Sequence, residues 1–417
     1  MRASAKVILI MIDGLSADYL IAHRAYLPTL AGLAERGLYV KRLRSDVPAT
    51  SMPGRTSLLT GLPAQRHGIY GNYILDGDTF RCASPDDVLV PTLARQAKEA
   101  GLDVASIGYA MVRPEDTSVF HPPWWVRGWL EESRFAKASL ATYDGPKLAI
   151  KDPDARLSGL RAAPLPTASP PQHALLAKVT TDLASDGALM RMAARIACSS
   201  APPDLILSEI AATDPVQHLF GYASAISHWS LTAADLFVSS LLHQLSVAGR
   251  DQDYILAVTS DHGHSAIETA IFPDVVIPGA LWQSEGATLH VAAAPGPARE
   301  RMSERLAAFG VESHESEHVP AAARSRVATF TAPAGHSFEE RPRELAEDQP
   351  TGKPRYVSSH GLRPGSPADD RPCIFFGPGI PREVHEYAAP EQFAPTLASA
   401  LGLPLDPYPA PPLRYLS

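Results

Sequence analysis

The stretch that decides the fold is Lys6-Val-Ile-Leu-Ile-Met-Ile-Asp-Gly14, a continuous apolar run closed by a turn signal. Such a run, rich in β-branched residues, is typical of a parallel strand that is buried on both of its faces. Sheets of this kind carry helices on each side. The stretch therefore predicts an α/β fold whose first strand ends in a loop at Asp13.

Strands and helices alternate through much of the remaining chain. Further strands are predicted at 39–43, 103–109, 205–209, 254–259 and 373–376. Helices are predicted at 28–36, 52–60, 91–100, 173–198, 228–247 and 390–401. This alternation predicts a mostly parallel sheet between helices.

Two stretches interrupt the alternation. Residues 111–171 are rich in proline, tryptophan and charge, and we interpret them as a lid-like insertion. Residues 267–357 carry a weaker alternation of their own and are predicted to form a small cap domain. The catalytic core is then expected at 1–266 and 358–417.

Composition narrows the classes of protein. The 417 residues are 45% hydrophobic, which suffices for one large domain with an insertion or for two domains. The net charge of −8 is spread over mixed acidic and basic residues, so a polymeric nucleic acid is not an expected partner. A small anionic substrate remains compatible, because bound metal ions would set the local charge.

The cysteines and the apolar runs bear on the compartment. Cys82, Cys198 and Cys373 are odd in number and far apart, which fits a reducing environment. The apolar run at 7–12 is too short for a secretion signal, and no stretch approaches the roughly 20 apolar residues of a membrane span. We therefore expect a cytoplasmic protein with no membrane partner.

Candidate metal ligands follow the predicted strands, where ligands collect in α/β sheets. Asp and neutral His are ligand types that suit zinc, and a spacing of four residues lets one helical turn present an Asp–His pair to one ion. A turn or a helix cap is the alternative interpretation of each motif taken alone. The candidates are Asp13, Asp214, His218, Asp261, His262, His264 and the segment Ser358-Ser-His-Gly361.

Ser51 precedes a predicted helix in Val47-Pro-Ala-Thr-Ser-Met-Pro-Gly54. One interpretation is a helix N-cap, a position that favours serine. The other is a nucleophile, because a helix N-terminus attracts anions and a nearby metal ion lowers the pKa of a hydroxyl.

The ordered set of motifs resembles the alkaline phosphatase superfamily, and within it the type I phosphodiesterase/nucleotide pyrophosphatase branch. The resemblance covers the core but neither insertion. It rests on Ile12-Asp-Gly-Leu15, Pro48-Ala-Thr-Ser-Met-Pro53, Leu59-Thr-Gly61, Arg66-His-Gly-Ile69, Asn72, Asp214-x-x-x-His218, Ser260-Asp-His-Gly263 and Ser359-His-Gly361.

The resemblance implies two divalent ions, which we expect to be zinc, with manganese or iron also compatible. It also implies that Asn72 donates a hydrogen bond to a phosphate oxygen, although a turn residue is the alternative interpretation. One ion would be held by Asp214, His218 and His360, and the other by Asp13, Ser51, Asp261 and His262.

This chain departs from the branch beside Ser51, which itself stands where the branch usually has threonine. Met52 occupies the place of an aromatic residue that stacks on a nucleobase, and Gly54 replaces an asparagine. Stacking on a substrate would then come from Trp124, Trp125 or Trp129 of the insertion, whose alternative role is packing. Met52, Trp124 and Trp125 are the candidate substrate contacts beside Asn72.

The resulting hypothesis is hydrolysis of phosphodiester or pyrophosphate bonds in a small substrate, including nucleotide conjugates, through a covalent phosphoserine at Ser51. Asn72 and backbone amides near Ser51 would stabilise charge on phosphorus oxygens. The alternatives are a phosphomonoesterase, a phosphonate hydrolase, a sulfatase suggested by the spacing Ser51-Met-Pro-Gly-Arg55, and an inactive metal-binding relative. Arg55 is expected to point away from the oxygen of Ser51.

Overall fold

The computed structural model describes residues 5–143, 145–158, 174–314 and 318–414. The strands are β1 (Lys6–Ile12), β2 (Leu38–Leu43), β3 (Tyr73–Asp76), β4 (Thr79–Cys82), β5 (Val104–Ile107), β6 (Val119–His121), β7 (Leu205–Ile210), β8 (Tyr254–Thr259), β9 (Ser265–Ala266), β10 (Thr269–Ile271), β11 (Trp282–Glu285), β12 (Thr288–Ala292), β13 (Glu312–His314), β14 (Val327–Thr331), β15 (His336–Phe338), β16 (Thr351–Gly352), β17 (Ser358–Ser359), β18 (Arg371–Phe376) and β19 (Glu383–Ala388).

The helices alternate with these strands over most of the chain. They are α1 (Ala17–Ala22), α2 (Pro28–Arg36), α3 (Ser51–Thr60), α4 (Ala64–His67), α5 (Leu93–Glu99), α6 (Val126–Glu132), α7 (Ala136–Thr142), α8 (Ala174–Ala197), α9 (Thr213–Phe220), α10 (Ala225–Val247), α11 (Pro273–Val276), α12 (Pro297–Ala307), α13 (Ala321–Arg324) and α14 (Phe393–Ala400). None of these described helices has the length and apolar character needed to cross a bilayer.

The large sheet has the strand order β19-β2-β18-β8-β1-β7-β5-β6. Every neighbouring pair runs parallel except the two pairs that β18 forms with β2 and β8. The predicted α/β class with a mostly parallel sheet is confirmed.

Both faces of this sheet are covered, as the composition of β1 predicts. Side chains of a strand alternate between the two faces, so β1 contributes to two separate apolar clusters. Ile8, Ile10 and Ile12 pack with residues of α1, α2, α8 and α10. Val7 and Leu9 pack on the other side with residues of α3, α5 and α14. The strand ends that carry the candidate ligands are therefore held in a rigid three-layer core.

The lid-like insertion is only partly separate from the sheet. Its segment Val119–His121 is the edge strand β6, paired in parallel with β5. Val126 and Leu130 of α6, and Tyr143 directly after α7, pack against Cys82 of the β3–β4 hairpin. The part of the predicted insertion at 159–171 lies outside the described residues.

A second sheet lies within residues 267–357, with the antiparallel order β11-β12-β14-β13. It has its own apolar cluster, which includes Leu289, Val291, Leu306 and Phe330. Strands β11 and β12 are joined by a two-residue turn, since Glu285 pairs directly with Thr288. The boundaries of the cap domain stay a prediction.

Candidate active site

Three strands of the large sheet bring the candidate ligands together. Asp13 directly follows β1, and Asp261 and His262 follow β8, the parallel neighbour of β1. On its other side β1 pairs in parallel with β7, which leads into α9 and its residues Asp214 and His218. Because parallel neighbours end at the same edge of a sheet, residues distant in sequence meet there.

The first group of candidate ligands is buried and surrounds Ser51. The Nε2 atom of His262 lies 3.4 Å from Asp13 Oδ1 and 3.6 Å from Asp261 Oδ2. The Ser51 hydroxyl oxygen lies 3.2 Å from the same Nε2 atom. The three ligand atoms lie within 4.8 Å of one another, which is compatible with one shared ion.

The second group consists of Asp214, His218 and His360. Asp214 Oδ1 lies 3.3 Å from His218 Nε2 and 4.0 Å from His360 Nε2. Asp214 and His218 share one turn of α9, as their spacing predicts. The groups are adjacent, since the rings of His262 and His360 stack with their centroids 3.8 Å apart.

Hydrogen bonds orient two of the histidines for metal binding. His218 Nδ1 lies 2.7 Å from the Ser358 carbonyl oxygen, and His262 Nδ1 lies 2.9 Å from that of Gly263. A carbonyl oxygen only accepts, so each Nδ1 carries a proton, and Nε2 is the atom that presents a lone pair to the site when the imidazole is neutral.

The buried atoms also fit a metal cation. Asp13 is only 6% exposed, and its buried Oδ1 atom has no hydrogen-bond partner among the described residues. Burial holds the pKa of His360 well below its usual range, so its imidazole is neutral and able to act as a ligand. A buried carboxyl oxygen without a hydrogen bond, beside an imidazole nitrogen, is a donor combination that zinc prefers.

His264 braces the second group. Its Nε2 lies 2.7 Å from Asp214 Oδ1, and its Nδ1 lies 2.8 Å from the Ser358 hydroxyl. Burial alone would raise the pKa of Asp214. The neighbouring His218 and His264 outweigh burial and hold the pKa of Asp214 well below its usual range. Asp214, His262 and His264 also lie close enough to form a ligand group. The short contact with Asp214 favours a supporting role for His264.

Ser51 is the first residue of α3, and Thr50 occupies the N-cap position. The interpretation of Ser51 as the cap is therefore wrong. Asn72 accepts a 2.7 Å hydrogen bond at Oδ1 from the Met52 amide, and this leaves its NH₂ group as the donor. The amide of Gly54 bonds the Thr50 carbonyl, and Pro53 has no N–H. The Met52 and Gly54 amides are therefore engaged within the protein. The expectation that backbone amides near Ser51 stabilise phosphorus oxygens together with Asn72 stays a prediction.

Arg55 points its side chain into the site, whereas the sequence led us to expect that it points away. It is 1% exposed, and its guanidinium forms ion pairs with Asp13, Asp261 and Glu209. Arg55 stands four residues after Ser51 on α3, so the two residues share one helix face. That spacing was the sequence signal for its place in the site.

Glu209 is a second residue that sequence reasoning did not assign. It lies one residue before the end of β7, is 1% exposed, and accepts hydrogen bonds from Arg55 Nε at 3.1 Å and Trp125 Nε1 at 2.7 Å. It thereby connects the insertion to the guanidinium that contacts Asp13. A carboxylate inside a buried strand was the available signal, because such a group needs partners.

A cavity of about 260 Å³ opens over the two groups. Its walls include the predicted substrate contacts Asn72, Met52, Trp124 and Trp125, together with Trp129. Trp124 is fixed by a 2.7 Å hydrogen bond from Nε1 to Asp186. Met52 is only 2% exposed and packs with Ile69 and Met111, which limits the face that it offers to a substrate.

This fold and this arrangement of strand ends define a protein of the alkaline phosphatase-like class, with candidate ligands for metal ions beside a serine hydroxyl. The sequence matches the type I phosphodiesterase / nucleotide pyrophosphatase family over residues 7–356. The chain belongs to that family.

Two curated relatives match short segments. An uncharacterized pyrophosphatase/phosphodiesterase of Schizosaccharomyces pombe is 37% identical over 89 residues, which is 21% of this chain and 18% of the relative. Bis(5'-adenosyl)-triphosphatase enpp4 of Xenopus laevis is 36% identical over 77 residues, 18% of this chain and 17% of the relative. The matches thus span less than a fifth of either relative's length.

Two solved structures resemble the whole fold. Human ectonucleotide pyrophosphatase / phosphodiesterase 5 superposes with a TM-score of 0.68 at 16% identity, covering 96% of this chain and 95% of that one. An inactive form of the murine protein, in complex with AMP, has a TM-score of 0.65 at 16% identity and covers 96% of both chains. These matches confirm the predicted fold.

Proposed function

We propose that this protein hydrolyses phosphodiester or pyrophosphate bonds of a small substrate through a covalent phosphoserine at Ser51. The reaction uses two divalent ions, and zinc is the metal that we expect. The observation that carries the proposal is the place of the Ser51 oxygen, 3.2 Å from His262 Nε2 within the group that includes Asp13 and Asp261. A hydroxyl beside three metal-ligand side chains is the arrangement of an activated nucleophile.

The chemistry consists of two displacements at phosphorus. The Ser51 oxygen gives up its proton to solvent and attacks, an O–P bond forms, and the leaving oxygen departs with the electron pair of the broken P–O bond. Water then attacks the phosphoserine, which releases the phosphoryl product and restores the hydroxyl. Bound divalent ions would supply positive charge for the attacking and leaving oxygens. The start of α3 favours negative charge at Ser51 through its helix dipole.

The remaining contacts come from Asn72 and the tryptophans. The Asn72 NH₂ group can donate a hydrogen bond to a non-bridging oxygen of the phosphate, while the Asn72 side-chain oxygen accepts from the Met52 amide. The indoles of Trp124 and Trp125 offer an aromatic wall for a leaving group or a nucleobase. The AMP complex of the murine neighbour supports a nucleotide part in the substrate.

We expect the protein to bind two divalent ions per chain. After reconstitution with zinc and removal of free metal, elemental analysis should find two equivalents. His218→Ala should retain one, because it removes a ligand from the Asp214 group and leaves the Asp13 group intact.

His243→Ala is the matched control, since His243 is an exposed histidine of α10. It should keep both equivalents. Less than one equivalent in the unmodified protein, together with activity that resists strong chelators, would contradict the two-metal proposal.

We expect diesters to be better substrates than monoesters. A monoester carries an additional negative charge, and the cavity meets its oxygens with the neutral Asn72. Arg55, the nearby cation, is already engaged by Asp13, Asp261 and Glu209. The measurement compares kcat/KM for an aryl phosphate, a bis-aryl phosphate and a nucleotide–aryl diester under one metal condition.

A preference for either diester of about tenfold or more is the expected result. The Ser51→Ala variant, assayed with the same three substrates, gives the background rate. A tenfold preference for the monoester, about 1.4 kcal/mol in transition-state binding, would assign the protein to the phosphomonoesterases instead.

A further inference from the structure

We infer that the turn between β11 and β12, residues Glu285–Thr288 and here termed the hairpin tip, is part of the active centre, with Glu285 as a positioning residue for Asn72. The inference rests on the proposed function for the roles of Asn72, Ser51 and His360. Its structural basis is independent of that function, because the hairpin tip contacts the loops that carry two of these residues and is linked to the loop that carries the third.

The first contact is with the loop that carries Asn72. Glu285 is 5% exposed, and its Oε1 atom accepts a 3.0 Å hydrogen bond from the Tyr73 amide. A Cβ atom placed on Gly71 would lie 2.8 Å from the same Oε1. The carboxylate therefore packs directly against the backbone on both sides of Asn72. It holds the loop in the position from which Asn72 reaches the Met52 amide.

The second contact is with the loop that carries the candidate ligand His360. The Ala287 amide donates a 3.0 Å hydrogen bond to the His360 carbonyl oxygen, and the Thr288 hydroxyl donates one of 2.7 Å to that of Gly361. Gly286 has a φ of +65°, and a Cβ atom there would lie 2.3 Å from the His360 carbonyl oxygen. This approach leaves room only for glycine.

The third link reaches the loop that carries Ser51. The Gly361 amide donates a 3.0 Å hydrogen bond to the Ala49 carbonyl, two residues before Ser51. A Cβ atom on Gly361 would lie 2.6 Å from the Glu285 carbonyl oxygen and 3.1 Å from Thr50 Cγ2. The nucleophile loop, the His360 loop and the hairpin tip are thus in direct backbone contact.

The hairpin tip is itself fixed to the cap. The Phe338 amide bonds the Gly286 carbonyl oxygen at 2.8 Å, and the Ala332 amide bonds that of Ala287 at 2.8 Å. A rigid turn that connects three loops fixes the distances between nucleophile, metal ligand and phosphate donor. Such support keeps an active site within the narrow geometry that catalysis requires.

The first test measures metal binding without turnover. Gly286→Ala introduces a methyl group where the His360 carbonyl leaves no space, so we expect the His360 loop to shift and zinc affinity at that site to fall at least about tenfold. Gly279→Ala is the matched control in the cap. Gly279 also has a positive φ, +77°, but nothing lies within 4 Å of the added atom. Equal zinc titration curves for the two variants would overturn the inference.

Thr288→Val provides a second test if Gly286→Ala does not fold. It keeps the shape of the side chain and removes only the hydroxyl that binds the Gly361 carbonyl. We expect weaker zinc binding than in Thr331→Val, whose hydroxyl instead contacts His314 on the same sheet. Identical affinities in these two variants would also count against the inference.

The role of Glu285 is tested by titrating inorganic phosphate into the zinc-loaded protein. Glu285→Ala leaves the buried Tyr73 amide without an acceptor, and we expect phosphate affinity to fall about tenfold with zinc stoichiometry unchanged. Glu285→Gln keeps an acceptor oxygen and should recover most of the affinity. Wild-type phosphate binding by Glu285→Ala would refute the positioning role. A zinc-loaded wild type that bound no phosphate would instead refute the proposed function, and the zinc titrations would still decide the role of the hairpin tip.

Discussion

Ser51→Ala is expected to lower kcat by at least about 1,000-fold, a loss of roughly 4 kcal/mol in transition-state stabilisation. The Ser51 oxygen is the atom that would form the covalent bond to phosphorus, and alanine has no atom to replace it. The Asp13, Asp261 and His262 group remains, so the variant should keep its metal ions and its fold. Direct attack by water leaves room for a small residual rate.

Ser57→Ala is the matched control on the same helix. Ser57 is buried and its hydroxyl contacts His67 Nε2 at 3.0 Å, so this variant loses a buried hydrogen bond away from the cavity. Its turnover should stay close to that of the wild type. Mass spectrometry of a quenched wild-type reaction should find the transferred phosphoryl group, with the ester group that a diester substrate leaves on it, on the peptide that contains Ser51. More than about a tenth of wild-type activity in Ser51→Ala would exclude covalent catalysis through this residue.

Arg55→Met is expected to lower the free energy of unfolding of the metal-free protein by about 3–5 kcal/mol. The substitution keeps an apolar stem but leaves Asp13, Asp261 and Glu209 buried without their shared cation. Removing one partner of a buried ion pair strands the charge of the other in a medium of low polarity. Urea unfolding in the presence of a chelator measures the effect.

Two further observations distinguish charge from packing. The difference in unfolding free energy between wild type and Arg55→Met should shrink as the pH falls, because the stranded carboxylates take up protons and become neutral. It should also shrink when zinc is added, because the ions neutralise Asp13 and Asp261. Arg24→Met is the control, since the Arg24–Glu35 pair is exposed and should contribute less than about 1 kcal/mol. A similarly small loss in Arg55→Met would contradict this account of Arg55.

Much of the fold could be predicted because its signals are local. The predicted strand at 254–259 and helix at 28–36 have those same bounds in the structure. Apolar periodicity and the glycines that end helices are properties of neighbouring residues, so a single sequence contains them. Boundaries moved where capping residues set the ends, as in the predicted helix 91–100, which spans Leu93–Glu99 because Thr92 is its N-cap. The cytoplasmic location stays a prediction.

The candidate ligands could also be named from the sequence, because each is an Asp or His at the end of a predicted strand or in the loop before the last one. The structure brings Asp13, Asp261 and His262 together, and likewise Asp214, His218 and His360. Their assignment to two ions remains a prediction that the zinc measurements test.

The sequence by itself determined the layered α/β core, the order of the strand-end motifs and Ser51 at the start of a helix. Only the tertiary structure decided which charges neutralise one another and which segments support the site. Arg55 meets Glu209, and Glu285 meets Tyr73, across 154 and 212 positions of sequence. No local pattern encodes such pairs, because the partners of a buried charge are set by the packing of the whole core and by the need to compensate that charge.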